Sequence, residues 1–182
     1  MGNWQETELV ERCRKGDRQA LGELLGKYEK PVYNVAFRIL GNRDDAADIT
    51  QSVFLKVFEK LDQYKPEYRF FSWIYRIAVN ESINQNKQGW RQKPFSEKDS
   101  AAAGTPESEF EASKLSREIQ GGLMTLGENY RTVLVLRHFS GLSYREISDT
   151  LDIPEKTVKS RLYSARQMMK QSLESRGVLL SL

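Results

Sequence analysis

Residues 141–162 read GLSYREISDTLDIPEKTVKSRL and contain the signals for one short helix, a break and the start of a second helix. Ser143 followed three residues later by Glu146 is a capping box, because the hydroxyl can accept from the N–H of Glu146 while the carboxylate reaches back. Pro154 ends the first helix because proline cannot continue the hydrogen-bond ladder. Two helices joined by such a tight turn predict a helix-turn-helix.

The second helix of this pair is predicted to have an apolar inner side and a basic outer side. It extends from near Glu155 to about Leu173, and residues 155–176 contain six Lys or Arg against two Glu. Cations neutralise DNA phosphates, and short donors near the start of the helix can read base edges in the major groove. A helical hairpin with a solvated basic face is the alternative interpretation. The predicted DNA-binding residues are Lys156, Thr157, Lys159, Ser160, Arg161, Tyr163 and Arg166.

A second unusual stretch, YRFFSWIYRIAVN, occupies residues 68–80. Five aromatic residues and two arginines fall within residues 68–76. Core packing is the simplest explanation of an aromatic stripe and accounts for some of these rings. Exposed rings can also stack on unpaired bases, while amides read base edges and cations follow the backbone. We therefore predict a surface for single-stranded DNA that consists of Tyr68, Arg69, Trp73, Arg76, Asn80 and Asn84.

Apolar residues recur at steps of three and four through most of the chain, which predicts an all-α fold. Residues 93–113 are the exception, because they are rich in Ser, Ala, Glu, Pro and Gly and carry two lysines against five acidic residues. The sequence predicts two small helical domains, over residues 1–92 and 114–182, joined by a flexible acidic linker over 93–113. Pro31 is expected to kink its helix or to begin a new one.

The composition excludes several kinds of site. The net charge of +3 is too small to establish a nucleic-acid partner by itself. The single cysteine, Cys13, excludes a disulfide framework and a cysteine-based zinc cluster, and the single histidine, His138, leaves few ways to build a metal site. No apolar run approaches the ~20 residues needed to cross a bilayer, and no signal peptide is visible. We expect a cytoplasmic protein with no membrane insertion of its own, no metal and no cofactor.

The chain resembles the bacterial extracytoplasmic-function (group 4) sigma factors, the two-domain promoter-specificity subunits of RNA polymerase. The resemblance covers nearly the whole chain and depends on motifs that occur in the family's order. The matching stretches are KGDRQAL (15–21), DDAADITQSVF (44–54), FSWIYRIAVN (71–80), YRTVLVLR (130–137), GLSYREI (141–147) and TVKSRL (157–162).

This resemblance implies core RNA polymerase, through its β′ and β subunits, and promoter DNA as partners. The C-terminal helix would read the minus-35 duplex, and the helix that starts near Phe70 would melt the minus-ten DNA and hold a flipped base near Asn80. The acidic linker would enter the RNA path of the polymerase. The chain itself would not be an enzyme, because the polymerase performs the chemistry. The β′ coiled coil would be contacted by Asp44, Asp45, Asp48, Gln51 and Phe54.

Two departures from the family pattern lie on the expected polymerase-docking helix. Ala47 and Ser52 stand where the family usually has Glu, so two carboxylates are missing from a surface expected to meet cations. Family variation is one interpretation. The other is phosphorylation of Thr50 or Ser52, which adds about −1.5 to −2 charge. The expected regulator is therefore an anti-sigma factor or a kinase. In addition, Lys156 stands where the family often has Gly.

Two other function classes remain open at the level of sequence. A stand-alone helix-turn-helix regulator would bind duplex DNA without the aromatic stretch or the docking helix. A nuclease could bind Mg²⁺ through Asp44, Asp45 and Asp48. That segment offers no paired base or nucleophile, and acidic residues at a helix start have a simpler explanation in the helix dipole.

Overall fold

The computed structural model describes residues 3–89 and 106–178, with side chains for 6–85 and 114–178. These residues form α-helices and one 3₁₀ turn, Leu61–Gln63, and no strand occurs among them, which confirms the all-α prediction. None of the described helices is both long enough and apolar enough to cross a membrane. The helices are α1 (Asn3–Arg14), α2 (Arg18–Leu40), α3 (Arg43–Glu59), α4 (Phe70–Gly89), α5 (Pro106–Thr125), α6 (Glu128–His138), α7 (Tyr144–Leu151) and α8 (Glu155–Ser175).

Helices α1 to α4 form the N-terminal domain, and short polar residues begin two of them. The Asp17 carboxylate accepts from the backbone N–H of Gln19 (2.9 Å) at the start of α2, and the Asn42 side chain accepts from that of Asp45 (3.0 Å) at the start of α3. Gly41, at φ 76°, ends α2 in the left-handed conformation that glycine adopts without strain. These caps satisfy backbone donors that a helix start leaves unpaired.

Pro31 does not divide α2. The helix runs from Arg18 to Leu40 with Pro31 inside it, so the expectation of a new helix at this residue is wrong. Val32 and Val35, which follow Pro31 within the next helical turn, are 0% and 1% exposed. Packing of this apolar side against α3 and α4 stabilises the helix despite the missing N–H, as tertiary contacts commonly outweigh local propensity.

Helices α5 to α8 form the C-terminal domain, and its last two helices confirm the helix-turn-helix. The Ser143 hydroxyl accepts from the Glu146 N–H (3.2 Å), and the Glu146 carboxylate accepts from the Ser143 N–H (2.7 Å). Asp152, at φ 55°, ends α7, and Pro154 precedes α8. Core-facing residues of α8 are fully buried at Val158, Leu162 and Ala165.

Helix α5 begins earlier than the sequence indicated. It starts at Pro106, so residues 106–113 are helical, although they were assigned to the flexible linker. Proline suits the first helical turn. The Ser- and Ala-rich composition of this segment concealed this signal. The rest of the expected linker, residues 93–105, lies outside the described part of the chain.

The two domains pack directly on one another. The C-terminal half of α2 contacts α5 and α6, and α4 contacts α7. This second contact brings the aromatic-basic stretch of the N-terminal domain against the first helix of the helix-turn-helix.

Candidate nucleic-acid interface

The predicted DNA-binding residues of α8 lie on its outer side. Tyr163 is 69% exposed, and Thr157 and Arg161 are half-buried at the edges of this surface. The opposite side packs on α6 and α7, so the helix presents cations and short donors outward as the sequence predicted. The exposed members of the set are Lys156, Lys159, Ser160, Tyr163 and Arg166.

One of these cations has a partner that the sequence did not reveal. The Arg166 Nε donates to the Nε2 of His138, at the end of α6, over 3.3 Å. Desolvation of the ring, together with the positive charges of Arg166 and Arg137, lowers the pKa of His138. The neutral imidazole therefore acts as an acceptor that orients Arg166 on the basic surface.

The residues predicted to bind single-stranded DNA form one stripe along α4. Trp73, Arg76, Asn80 and Asn84 are spaced by three and four residues and share a helix face. Asn80 and Asn84 are exposed, whereas the Trp73 ring is half-buried. Its centroid lies 5.5 Å from that of Phe70. Packing on a buried ring fixes the indole and leaves one edge for a ligand.

The loop before α4 carries the other two members of this set. Tyr68 is 53% exposed, and its carbonyl accepts from the Tyr64 hydroxyl over 2.7 Å. Arg14 supports the same loop by donating through Nη2 to the Leu61 carbonyl, over 2.9 Å. The Arg69 guanidinium reaches the Glu146 carboxylate at 3.1 Å, across the domain boundary.

A cleft of about 660 Å³ separates the α4 stripe from the helix-turn-helix. Its N-terminal-domain wall includes Tyr68, Trp73 and Arg76, and its opposite wall includes Asp149 and Asp152. Arg76 closes part of the cleft by donating to α7 carbonyls. The structure thus places three predicted DNA-binding residues together, in a position where the C-terminal domain partly covers them.

The residues predicted to dock on polymerase do not all face outward. Asp44, Asp48 and Gln51 are exposed on one side of α3, and Asp45 is half-buried. Phe54 is only 6% exposed and belongs to the core, so its assignment to a docking surface is corrected.

Leu55 is an exposed apolar residue on α3 that was not among the predicted docking residues. It is 64% exposed and lies seven residues after Asp48 and four after Gln51. Two helical turns separate positions i and i+7, so these residues share one face. The spacing of the predicted residues at positions 44, 48 and 51 extends to position 55 by one further step of four.

The two candidate phosphorylation sites have different surroundings. Thr50 is 6% exposed, and its hydroxyl donates to the Ala46 carbonyl over 2.7 Å. Ser52 is half-buried, and its hydroxyl donates to the Glu81 carboxylate over 3.3 Å. That carboxylate also pairs with the Lys56 ammonium at 2.5 Å. Of the two hydroxyls, Ser52 is the one nearer to solvent.

Comparisons with known proteins match both domains. Residues 24–92 match the family model of sigma-70 region 2, and residues 116–169 match that of sigma-70 region 4. The ECF RNA polymerase sigma factor SigW of Bacillus subtilis is 31% identical over 179 residues, which cover 90% of this chain and 94% of the relative. The ECF RNA polymerase sigma-E factor of Haemophilus influenzae is 32% identical over 178 residues, which cover 91% and 94%.

Solved structures share the fold at lower sequence identity. CnrH, solved in complex with the cytosolic domain of CnrY, superimposes with a TM-score of 0.73 at 22% identity, covering 93% of this chain and 97% of that one. The sigma factor RpoE of Bartonella quintana, solved with the anti-sigma factor NepR, gives a TM-score of 0.68 at 20% identity, covering 84% and 96%.

Proposed function

The chain belongs to the extracytoplasmic-function sigma factors of RNA polymerase, and from that premise we propose which of its surfaces perform the steps of promoter recognition. A sigma factor binds core RNA polymerase and directs transcription initiation at specific promoters. The stand-alone regulator is not favoured, because the sigma region 2 match covers residues 24–92 and the full-length relatives are polymerase sigma factors. We expect the chain to act in the cytoplasm and to contribute no catalysis of its own.

Helix α8 reads the minus-35 duplex in this proposal. Its exposed Lys159, Ser160 and Tyr163 are placed to contact base edges, because they lie on the solvent-exposed side of the helix. Arg161 and Arg166 hold phosphates and set the position of the helix in the groove. The capped α7 and the turn at Asp152–Pro154 fix the angle at which α8 projects.

The stripe on α4 engages the opened minus-ten DNA. Trp73 supplies a ring held by its packing on Phe70, and Asn80 and Asn84 supply donors and acceptors for freed base edges. Arg69 and Arg76 follow the strand's phosphates. The single observation that supports this assignment best is the alignment of an aromatic ring, a cation and two amides on one helix face.

The exposed side of α3 docks on the β′ subunit of the polymerase. Asp44, Asp48 and Gln51 provide acidic and polar contacts, and Leu55 adds an exposed apolar group at the C-terminal end of this stripe. Apolar side chains that are desolvated on binding often contribute a large share of interface affinity. Leu55 therefore replaces Phe54 in the docking set.

These assignments are tested with holoenzyme assembled from core polymerase and this chain. Promoter fragments are selected from a random duplex library and probed with permanganate, which reacts with unpaired thymines. We expect two sequence blocks at a fixed separation, with reactive thymines only in the downstream block. Asn80→Ala should reduce that reactivity, and Lys159→Ala should alter only the upstream block. Selection of a single duplex block without reactive thymines would contradict the proposal.

We further propose that a protein regulator, an anti-sigma factor or a kinase, controls the chain. Phosphate on Ser52 would add negative charge to the α3 side near Asp48 and lies within reach of Lys56, which would leave Glu81. Thr50 requires opening of the core before a kinase can reach its hydroxyl.

Phosphomimetic variants distinguish control by a kinase from control by an anti-sigma factor. Pull-down of core polymerase is compared for the wild type, Ser52→Glu, Ser52→Ala, Thr50→Glu and Thr50→Ala. Kinase control predicts stronger binding for Ser52→Glu and loss of folded protein for Thr50→Glu. Equal binding by the wild type and the Ser52 variants would remove the kinase and leave the anti-sigma factor.

A further inference from the structure

The segment that connects α3 to α4, residues 61–69, has only two anchors in the core, and we call it the minus-ten loop. Leu61 and Tyr64 are 5% and 3% exposed, whereas the other residues of the loop are exposed. The loop ends at Tyr68 and Arg69, two of the residues proposed to bind the opened minus-ten DNA. The position of these two residues therefore depends on how the two anchors are held.

One side chain of α1 binds the backbone of both anchors. The Arg14 guanidinium donates through Nη2 to the carbonyls of Leu61 (2.9 Å) and Tyr64 (2.5 Å), and through Nε to that of Leu61 (3.2 Å). Its Nη1 pairs with the carboxylate of Glu11, one turn earlier in α1. Arginine suits this position because its planar group presents several donors in a fixed geometry. The Arg14 side chain is 19% exposed, so water has little access to these bonds.

Tyr64 connects the anchored backbone to the DNA-binding side chains. Its hydroxyl donates to the Tyr68 carbonyl over 2.7 Å. Its ring centroid lies 5.6 Å from that of Trp73 and 5.2 Å from that of Phe70. A shift of the Tyr64 backbone would therefore move the exposed Tyr68 and change the surface on which the Trp73 indole packs.

We propose that Arg14 is a positioning residue for minus-ten recognition, which fixes the minus-ten loop so that Tyr68 and Trp73 accept only certain bases of the opened strand. The inference rests on the proposed function of this surface and adds to it a residue of α1. Arg14 acts through the backbone of Leu61 and Tyr64. Its loss should therefore alter the choice of base and leave the contacts with DNA phosphates in place.

The substitution Arg14→Gln removes the charge and most of the donors, and Arg12→Gln is its matched control. Arg12 lies on the same helix, but its guanidinium pairs with Asp17 at the start of α2, over 2.8 Å. Tyr64→Phe is the second variant if Arg14→Gln does not fold. It keeps the packed ring and removes only the hydroxyl that donates to the Tyr68 carbonyl.

Hydrogen exchange of the free proteins measures the anchoring of the loop without DNA. The loop contains backbone bonds of its own, such as that from the Tyr64 N–H to the Leu61 carbonyl (3.1 Å). We expect peptides that cover residues 61–69 to exchange about threefold to tenfold faster in Arg14→Gln than in Arg12→Gln, the effect of losing about one hydrogen bond. Equal exchange in a folded Arg14→Gln protein would overturn the inference.

Selection of promoter fragments by holoenzyme then measures recognition. We expect the wild type and Arg12→Gln to select the same two sequence blocks. Arg14→Gln should lose about threefold to tenfold in base preference at one or two positions of the downstream block. The upstream block and the slope of log K against log salt should stay unchanged, because no phosphate contact is removed. A folded Arg14→Gln protein that keeps its downstream preference, or that loses only salt slope, would overturn the inference.

Tyr64→Phe is judged by the same downstream block, where it should relax the positions that depend on the loop. An unchanged preference in this variant would remove Tyr64 as the connection between Arg14 and the DNA-binding side chains, and would overturn the inference. Failure of the wild-type holoenzyme to select two blocks would count against the proposed function. The exchange measurement would still decide whether Arg14 holds the loop.

Discussion

Phe54 and Leu55 are neighbours on α3, but the first is buried and the second is a large apolar residue that is 64% exposed. We expect Phe54→Ala to lower the free energy of unfolding by about 3–5 kcal/mol, because it leaves a cavity in the core. Leu55→Ala should change it by less than about 0.5 kcal/mol and should weaken binding to core polymerase. Urea unfolding and a polymerase pull-down measure the two effects. Unchanged polymerase binding by Leu55→Ala would remove this residue from the docking surface.

His138 makes the stability of the C-terminal domain depend on pH. Its pKa is lowered from the ordinary value of 6.5, so the unfolded chain binds the proton more readily than the folded chain. The contribution of neutral His138 to stability is therefore fully present above about pH 6.5. It decreases as the pH drops through that value, and the decrease ends below the folded-state pKa.

The same protonation removes the acceptor for Arg166. Comparison of thermal unfolding between pH 7.5 and 5.5 should show a larger loss for the wild type than for His138→Gln, which cannot titrate. Equal losses in the two proteins would mean that other groups cause the dependence.

At the scale of elements, the capping box decides whether the short α7 is stable. We expect Ser143→Ala to lower the free energy of unfolding by about 1 kcal/mol, since it leaves the Glu146 N–H without its acceptor. Ser175→Ala is the matched control, because that hydroxyl donates only locally at the exposed end of α8. Urea unfolding monitored by helical circular dichroism measures both. An equal effect of the two substitutions would show that the cap contributes nothing specific.

Substitutions on α8 should distinguish residues that contact DNA phosphates from residues that contact bases. Arg166→Ala is expected to weaken holoenzyme binding to all minus-35 sequences and to reduce the slope of log K against log salt by about 1. Ser160→Ala is expected to leave the slope unchanged and to relax the choice of base at one position. Filter binding over a salt series measures both quantities. A reduced slope for Ser160→Ala with no relaxed position would reverse these roles.

The sequence predicted the elements best where local chemistry determines them. Ser143, Glu146 and Pro154 define α7 and the turn without any distant contact, so the helix-turn-helix could be located from its residues alone. At Pro31 the sequence left a kinked helix and a new helix both open, because the burial of its neighbours depends on α3 and α4. Phe54 was wrongly placed on the exposed surface because the buried and the exposed stripes of α3 include adjacent residues of the chain.

At the scale of the whole molecule, the contacts between domains could not be derived from the sequence. Arg76 reaches α7 carbonyls 73 and 74 residues away, and Gln120 reaches the end of α2 across 82 residues. Their partners are backbone atoms, which every residue carries, so no pattern of side-chain types indicates the pairing. A DNA-binding role is predicted for Arg76, and the fold adds backbone carbonyls of α7 as partners of the same guanidinium.

Sequencing of RNA 5′ ends tests the central claim most directly. Core polymerase is incubated with a library of genomic duplex fragments, with and without this chain, and the start sites are mapped. We predict start sites that require the chain and lie at a constant distance downstream of two shared sequence blocks, and that are lost with a folded Asn80→Ala/Lys159→Ala variant. Identical start sites in the presence and absence of the chain would contradict its assignment as a promoter-specificity subunit.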